Sequence, residues 1–339
     1  MFRQDPLNTI LALASEFTPT AVRVAATLRL PDLVEAGHNT PKAMAERTGA
    51  DEQALGRVMR YLTLLGLFTE DSGTYAVTEV GRVIGSDHPS TLQRWLDLED
   101  PAREIEARFE PAIAELLTAV RTGRPVYEKV YGADFWDDLR ARPELDKSFN
   151  DGLTRTVNRM VPEFVRIYDW ASVKHVVDVG GGKGALLAPL LAAHPEMRGT
   201  LFELEHVVEQ AKETLAPVAD RCDLVGGSFF EPITTGGDVY LIANTLHNWS
   251  DADAEKIMAR LVEAAGPGGR VLIVERMVDS GKDPVMASYA DLLMLVLLGA
   301  RERSVEDYRG LGAEVGMELT DTLRFETPGM WLLEFTVRS

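Results

Sequence analysis

The chain has 339 residues, and a typical domain size of about 100–200 residues predicts two domains. Its 35 Lys and Arg are outnumbered by 53 Asp and Glu, which leaves a net charge of −18. Proteins that bind nucleic acid or anionic membranes normally carry the opposite balance, because they neutralise phosphates. The single cysteine, Cys222, excludes an internal disulfide framework and a cysteine-based zinc cluster. We therefore expect neither nucleic acid nor membrane among the partners, and no bound metal.

The N-terminal sequence, MFRQDPLNTI, lacks the basic flank and apolar centre of a signal peptide. The longest apolar run, Leu292 to Leu298, is seven residues long, whereas a membrane-spanning helix needs about 20 apolar residues. These two features predict a cytoplasmic protein.

Residues 1–100 are predicted to be mainly helical, with a β-hairpin near their end. Apolar residues recur at helical spacing from Pro6 to Ala36, and Thr40-Pro41 has the residue types that start a helix. A further amphipathic helix over 52–67 precedes two short strands around the turn Asp71-Ser72-Gly73. A helix-turn-helix followed by a hairpin is the winged-helix pattern.

The obvious function of a winged helix is DNA binding, but the charges of this one do not favour it. The segment 51–67 carries Arg57 and Arg60 against Asp51 and Glu52, so it has no positive surplus for phosphates. The helices before it are apolar over more faces than one core can bury. We interpret residues 1–100 as a dimerisation domain and keep a winged-helix transcription factor as a remote alternative.

Residues 101–170 are predicted to be a helical linker, and from Val173 the periodicity changes. The predicted strands are 173–179, 200–204, 223–225, 238–243 and 270–274, and the helices between and after them are 184–193, 206–215, 251–265 and 285–298. This alternation predicts a doubly wound, Rossmann-like α/β domain over 171–339. The last strands, 319–325 and 331–337, are joined by a short loop, which predicts a terminal antiparallel hairpin.

The junction of the first strand and its helix is rich in glycine. Gly180-x-Gly182-x-x-Ala185 satisfies the dinucleotide fingerprint, and Glu203 at the end of the second strand supplies an acidic partner for a ribose. S-adenosylmethionine is the alternative ligand, because its ribose takes the same acidic residue and no pyrophosphate is needed. Asp178, two residues before the first glycine, favours this alternative, since a carboxylate repels a pyrophosphate and attracts a sulfonium or ammonium group.

Four short motifs follow one another along the chain. They are Asp178-Val179-Gly180-Gly181-Gly182, Leu246-His247-Asn248-Trp249-Ser250-Asp251, Val274-Glu275 and Ala300-Arg301-Glu302-Arg303-Ser304. Through them the sequence resembles, over essentially its whole length, the class I S-adenosylmethionine-dependent O-methyltransferases of the plant caffeic-acid type and their bacterial natural-product relatives. The resemblance implies S-adenosyl-L-methionine as cofactor, S-adenosyl-L-homocysteine as its product, a homodimer of intertwined protomers and a small aromatic acceptor.

The resemblance also implies a catalytic trio. His247 takes the position of the general base, and Glu275 and Glu302 match the two carboxylates that flank it. The chemistry is reasonable, because a phenol ionises near pH ~10 and an imidazole can accept its proton as attack begins. A carboxylate on the far ring nitrogen fixes the tautomer and favours the imidazolium that forms. Asn248 stands where plant members carry Asp.

The cofactor-binding residues carried over by the resemblance are Asp178, Gly180, Gly182, Glu203, Ser228, Phe229 and Asn244. Ser228 replaces the usual Asp of the adenine-contacting segment, and Ala243 replaces a Lys of plant members. Phe229 and Trp170 are candidates to stack on the adenosine, with core packing as the alternative. Ser250 and Asp253 are expected to cap the helix after His247.

The resemblance also implies the substrate-binding residues, which by family position are Phe149 and Leu153 from the linker helices, Trp249, and Leu292, Leu293 and Leu297. Their aliphatic and aromatic character suggests an apolar, polyketide-derived aromatic acceptor. We predict an O-methyltransferase (EC 2.1.1.-) of secondary metabolism, such as antibiotic biosynthesis. The alternative is the same fold and cofactor used for C-methylation, hydroxylation or cyclisation, since a fold does not determine a reaction.

Overall fold

The computed structural model describes residues 5–100, 103–279, 281 and 284–339, apart from the side chain of Thr156. Residues 1–4 of the stretch tested for a signal peptide, and 101 and 102 of the predicted linker, lie outside the described residues. The chain divides into two compact units, Met1–Glu104 and Ile105–Ser339. Within the described residues, no helix combines the length and apolar character that crossing a membrane requires.

The first unit contains seven helices and a hairpin among its described residues. The helices are α1 (Pro6–Ala14), α2 (Phe17–Thr27), α3 (Leu30–Glu35), α4 (Pro41–Thr48), α5 (Glu52–Leu64), α6 (Glu79–Arg82) and α7 (Leu92–Leu96), with strands β1 (Phe68–Asp71) and β2 (Thr74–Val77) antiparallel before α6. As predicted, Thr40 caps α4 by accepting a hydrogen bond from the Ala43 amide. Helix α5 ends three residues before the predicted end at Leu67, because Gly66 turns the chain with a φ of +84°.

The N-terminal helix α1 differs from the rest of this unit, because none of its residues is buried. Leu13 of α1 and Phe17 at the start of α2 are each 77% exposed. The buried core of the unit instead uses α2, α3, α4, α5 and the hairpin, with Leu30, Met44 and Met59 wholly inaccessible. In the single chain, the apolar side chains of α1 are therefore not covered by other described parts of the protein.

The second unit begins with five helices. They are α8 (Glu104–Ala114), α9 (Leu116–Thr122), α10 (Tyr127–Tyr131), α11 (Phe135–Ala141) and α12 (Pro143–Ile167). Helix α12 begins with proline at its first turn, where the missing N–H costs nothing. Its 25 residues make it the longest helix among the described residues.

The second unit is built around a seven-stranded sheet. The strands are β3 (His175–Val179), β4 (Arg198–Glu203), β5 (Cys222–Gly226), β6 (Val239–Ala243), β7 (Arg270–Arg276), β8 (Met317–Arg324) and β9 (Met330–Val337), in the order β5-β4-β3-β6-β7-β9-β8. The first five are parallel, and β9 runs antiparallel to both β7 and β8. The predicted fold class and terminal hairpin are therefore confirmed.

Helices cover both faces of this sheet. They include α13 (Leu187–Ala193), α14 (Glu205–Leu215), α15 (Asp251–Ala265) and α17 (Val305–Glu314), whereas α16 (Pro284–Leu298) packs on the helices that precede the sheet. Successive residues of β3 enter opposite cores, with Val176 on one face and Val177 on the other. Burial on both faces explains the nearly continuous apolar runs of the parallel strands. Helix α17 is absent from the sequence prediction, because Gly310 and Gly312 weaken its helical signal.

The strand order reverses between β3 and β6, where the chain crosses from one side of the sheet to the other. Ligands of open α/β sheets bind at the carboxyl ends of the strands beside such a reversal. The carboxyl ends of β3, β4, β6 and β7 carry the glycine loop, Glu203, Asn244 and Glu275. The topology thus brings these four separate parts of the sequence to one edge of the sheet.

Candidate active site

A cavity of about 450 Å³ opens at this edge, between the sheet and helices α11 and α12. All seven residues predicted to bind the cofactor line it, as do three of the six predicted to bind substrate. These are Asp178, Gly180, Gly182, Glu203, Ser228, Phe229 and Asn244, with Phe149, Leu153 and Trp249. Helix α12 contributes Asp146, Asn150, Leu153, Thr154 and Val157 from one face.

The glycine loop follows β3 in a conformation that side chains disfavour. Gly180 and Gly182 have φ values of +68° and +56°, in the left-handed region. Gly181 is required for a different reason: a Cβ atom there would lie 2.3 Å from Oδ2 of Asp178. The loop therefore lies directly on the Asp178 carboxylate, and its backbone can approach a ligand closely.

Asp178 is the most unusual group in the cavity. Its side chain is fully buried, and neither carboxylate oxygen has a hydrogen-bond partner among the described residues. Burial and, after it, the nearby Glu203 carboxylate raise the pKa of Asp178 to about 7. A buried acceptor without a donor is costly unless a ligand supplies one. This carboxylate fits a bound ammonium or other cation.

Glu203 is already oriented by the backbone around it. Its Oε2 accepts a hydrogen bond of 3.0 Å from the Gly182 amide, and its Oε1 accepts one of 2.7 Å from the Leu204 amide. Burial raises the pKa of Glu203, while these two backbone donors oppose that change. Each carboxylate oxygen keeps a second lone pair, so the group can still accept hydrogen bonds from two ribose hydroxyls.

Asn244 follows β6 in a strained conformation. Its φ is +48°, which non-glycine residues seldom adopt, although Asn tolerates it better than most. Its Nδ2 is buried without a hydrogen-bond partner among the described residues, and the residue lines the cavity. The side chain thus presents an unused donor. Ser228, across the same cavity, keeps its hydroxyl near the Phe230 amide at 3.3 Å.

The predicted catalytic trio comes together at the ends of β6 and β7. His247 lies in a single 3₁₀ turn, Leu246–Asn248. Thr245, just before the turn, and Asn248, its last residue, line the cavity, whereas His247 itself is not among the lining residues. Its Nδ1 lies 3.0 Å from Oε1 of Glu302 and 3.9 Å from Oε2 of Glu275. The imidazole is 15% exposed, whereas Glu275 is wholly buried.

The two glutamates act on His247 in different ways. Glu302 makes the direct hydrogen bond to Nδ1, so it fixes the ring and favours the tautomer with the proton on Nδ1. Glu275 uses Oε1 to accept from the backbone amides of Thr245 and Leu246, at 2.8 and 2.7 Å. Glu275 therefore holds the turn itself and acts on the imidazole through its charge.

The charge of the imidazole follows from this environment. Burial alone would lower the pKa of His247, but the charges of Glu275 and Glu302 and the hydrogen bond that Nδ1 donates to Glu302 outweigh it and raise the pKa to about 9. The positive charge of Arg303 opposes this rise. His247 is consequently a stronger base than a free imidazole, and at neutral pH it is mainly protonated.

The other three predicted substrate residues lie elsewhere. Leu292 is 46% exposed and lines a separate depression beside Asp291 and Arg301. Leu293 and Leu297 pack in the apolar cluster of the helices before the sheet, where the Val126 amide bonds to the carbonyl of Val296. These three leucines therefore do not line the cavity with Phe149, because α16 turns this face toward its neighbouring helices, and their contact with the acceptor stays a prediction.

Trp170 is also placed in the core. It is 2% exposed, and its Nε1 donates to the Phe164 carbonyl at 3.1 Å. Ser250 caps α15 as expected, because its hydroxyl accepts from the Asp253 amide, whereas the Asp253 carboxylate accepts from that hydroxyl and not from a backbone amide of the described residues.

Two features of the cavity were missed at the sequence level. Trp136 of α11 stacks on Trp249 with ring centroids 5.7 Å apart and planes 14° apart, and Phe149 meets Trp136 edge-on. Lys183 of the glycine loop donates to Asp151 of α12 at 2.8 Å. The density of aromatic residues over 127–149 was the available signal, but it is equally typical of helix packing.

Comparison with known proteins identifies the family. Residues 113–318 match the O-methyltransferase domain and residues 12–86 match the O-methyltransferase dimerisation domain. The 2,7-dihydroxy-5-methyl-1-naphthoate 7-O-methyltransferase of Streptomyces carzinostaticus is 38% identical over 309 residues, 90% of this chain and 91% of that protein. The aclacinomycin 10-hydroxylase RdmB of Streptomyces purpurascens is 37% identical, over 96% of this chain and 89% of that protein.

Comparison with a solved structure supports the same family. The O-methyltransferase NcsB1 from neocarzinostatin biosynthesis, in complex with S-adenosylmethionine and 2-hydroxy-5-methyl naphthoic acid, superimposes with a TM-score of 0.79 and 37% identity, covering 96% of this chain and 98% of that one. The resemblance drawn from the sequence motifs is thereby confirmed. The chain belongs to the S-adenosylmethionine-dependent O-methyltransferase family and carries that family's dimerisation domain.

Proposed function

We propose that this protein transfers a methyl group from S-adenosylmethionine to a hydroxyl group of an aromatic natural product of the polyketide type, with His247 as general base. The observation that carries the proposal is an imidazole held by a buried carboxylate, Glu302, in a turn whose neighbouring residues line an aromatic-walled cavity. Relatives named as a naphthoate 7-O-methyltransferase, a mitomycin biosynthesis 6-O-methyltransferase and an O-demethylpuromycin-O-methyltransferase support an aromatic natural product as the acceptor.

The glycine-loop end of the cavity fits the cofactor. Asp178 would face the ammonium group of the cofactor, and Glu203 would accept from its ribose hydroxyls. Asn244 would donate a hydrogen bond to a polar atom of the cofactor. Ser228 and Phe229 would contact the adenine. Two of these assignments rest on buried polar atoms that lack partners among the described residues, those of Asp178 and Asn244. S-adenosylmethionine, when bound, supplies a methyl group on a positively charged sulfur and leaves as S-adenosylhomocysteine.

The α11–α12 end of the cavity fits a planar apolar acceptor. Phe149, Trp136 and Trp249 form a continuous aromatic wall, and Leu153 of α12 adds an aliphatic surface. Flat aromatic side chains bind flat ligands with a large contact area and little loss of conformational entropy. Such a wall sets the plane of the acceptor without specifying its substituents.

His247 makes the acceptor oxygen nucleophilic. Moving a proton from a phenol to an ordinary imidazole is uphill by about 5 kcal/mol, because their pKa values are near 10 and 6.5. With the pKa of His247 raised to about 9, the same transfer is uphill by only about 1–2 kcal/mol. The proton moves to Nε2 as the oxygen attacks, and Glu302 stabilises the resulting imidazolium through Nδ1.

Hydroxylation of an aromatic acceptor is a second candidate, because the hydroxylase RdmB is 37% identical to this chain. The His247 trio favours methyl transfer, since activation of a hydroxyl oxygen is the task that a general base performs. The two reactions are distinguished by product mass, because one adds a methyl group and the other adds an oxygen atom.

We further propose that the working form is a homodimer in the cytoplasm. The match to the dimerisation domain over 12–86 supports a dimer, as does the exposed apolar surface of α1. The lone cysteine is buried and unpaired, as is usual in a reducing compartment.

Replacing His247 by Gln is expected to lower kcat for methyl transfer by about 10²–10⁴-fold. The affinity for S-adenosylmethionine should stay within a few-fold, because the base faces the acceptor. The measurement is mass spectrometry of products from a panel of phenolic polyketides with the methyl-labelled cofactor. His88→Gln, in the first unit, is the control. Near-normal turnover by His247→Gln at pH 7 would exclude this base.

The raised pKa of His247 predicts the pH dependence of the reaction. Because only the neutral imidazole accepts a proton, kcat/KM should rise about tenfold per pH unit from pH 7 and level off near pH 9. Glu302→Gln removes one of the charges that raise the pKa, so its profile should level off at lower pH. A wild-type profile that levels off near pH 6.5 would contradict the electrostatic account.

Asp178→Asn is expected to weaken S-adenosylmethionine binding by about 1.5–3 kcal/mol without lowering the melting temperature. The carboxylate ionises near pH 7, so wild-type affinity should increase from pH 6 to pH 8, and this increase should be smaller in the variant. Calorimetry at both pH values tests this, with Asp223→Asn, at an exposed Asp of β5, as control. Equal affinities for wild type and Asp178→Asn would place the ammonium elsewhere.

The double variant Leu13→Asp, Phe17→Asp is expected to convert the dimer to a monomer, because it places charges on the uncovered apolar helices. Light scattering at micromolar concentration measures the change. Lys212→Asp alters the net charge by the same amount at an exposed site of the second unit and should leave the dimer intact. A monomeric wild type would refute the dimer.

A further inference from the structure

The buried guanidinium of Arg303 has no part in the trio, yet it lies against the same turn. It is wholly inaccessible to solvent. Its Nη1 donates to the Leu246 carbonyl at 2.7 Å, and its Nη2 donates to the Trp249 carbonyl at 2.8 Å. These carbonyls lie on either side of His247 in the chain, so one rigid group joins both ends of the turn.

The carboxylate of Asp251 neutralises the guanidinium of Arg303. Oδ1 of Asp251 accepts from Nε and Nη2 of Arg303 at 3.0 and 2.8 Å, and the guanidinium lies 5.8 Å from the Tyr308 ring centroid. Burial of a charge is costly unless it is paired and hydrogen-bonded. Here the compensation comes from the turn and from the first residue of α15, so the guanidinium is fixed in place.

The turn is therefore held from two sides. Glu275 accepts from the amides of Thr245 and Leu246, and Arg303 donates to carbonyls of the same segment. An arginine fork has a planar geometry that a lysine ammonium does not reproduce.

We propose that Arg303 is a positioning residue, which fixes the carbonyls on both sides of His247 and so sets where the imidazole presents Nε2. The inference rests on the proposed function for its catalytic consequence, but the restraint on the turn is measurable without any acceptor.

The charged and titratable groups around His247 come from several elements. They are Glu275 of β7, Asp251 of α15, Asp291 of α16, Tyr308 of α17, and Glu302 and Arg303 of the loop before α17. Among the groups that shift the pKa of His247, Arg303 is the cation, and it opposes the two glutamates. Removal of its charge should therefore move the pH profile toward higher pH.

Arg301 offers a matched control. It binds the same Asp251 at 3.1 Å and also Asp307 at 3.2 Å, but it is half exposed and makes no hydrogen bond to the turn within the part of the chain that the structure describes. Arg303→Lys keeps the charge and loses the fork, and Arg301→Lys makes the same chemical change outside the turn.

At saturating cofactor, Arg303→Lys should lower kcat by about 10²-fold, the typical effect of displacing a catalytic group by about 1 Å. The pH at which its profile levels off should change little, because the positive charge is retained. Amide hydrogen exchange at Thr245 and Leu246 should be faster in Arg303→Lys than in Arg301→Lys. The two variants should bind the cofactor with equal affinity. Equal kcat and equal exchange in the two variants would overturn the proposal.

Arg303→Met separates charge from position, since it should lower kcat and also move the profile toward higher pH. If it does not fold, Asp251→Asn tests the same restraint, because the freed guanidinium should again speed amide exchange in the turn. Unchanged exchange in that variant would also overturn the proposal. If exchange is faster in Arg303→Lys but the wild-type enzyme transfers no methyl group, the restraint on the turn is supported and the proposed function is refuted.

Discussion

The carboxylate of Glu275 is the constraint around which the catalytic edge is organised. It is wholly buried on the face of β7 that also buries Ile273 and Met277, and burial raises its pKa while the charge of His247 lowers it. A carboxylate in such surroundings needs donors and a nearby cation. It finds them in two backbone amides and in His247, so satisfying one buried charge also places the turn and the base.

Comparison of Glu275 with Asp178 shows how two buried acids serve different purposes. Glu275 has protein donors on one oxygen and an imidazole 3.9 Å from the other. Asp178, at the end of β3, has no partner for either oxygen among the described residues. A satisfied carboxylate maintains structure in the free protein, whereas an unsatisfied one is completed by a ligand. The glycine-loop end of the cavity thus carries the cost of an unpaired buried carboxylate, which the proposed contact with the cofactor would relieve.

The fold was predictable from the sequence because it depends on local pattern. Apolar runs and glycines identified the strands of the parallel sheet, and parallel strands bring their carboxyl-end motifs to one edge. That His247, Glu275 and Glu302, far apart in sequence, lie together was expected only from the resemblance to the O-methyltransferase family, since Glu302 belongs to the loop before α17 and not to a strand end.

Orientation around helices was not predictable in the same way. Helix α16, with the sequence PVMASYADLLMLVLL, is apolar on most faces, so its sequence does not show which leucines face the cavity. The stacking of Trp136 on Trp249 depends on contact between distant elements. Arg303 is equally hidden, since a lone arginine in a polar loop looks solvent-exposed until three oxygens are found around it.

The central claim is that two buried carboxylates make His247 an unusually strong base with its proton on Nδ1. Nitrogen-15 NMR of the histidine ring, assigned by comparison with His247→Gln among the six histidines of the chain, measures this in the folded protein. The account predicts that Nδ1 keeps its proton throughout and that Nε2 titrates near pH 9. Titration at the ordinary value of about 6.5, or a neutral ring with its proton on Nε2, would contradict it.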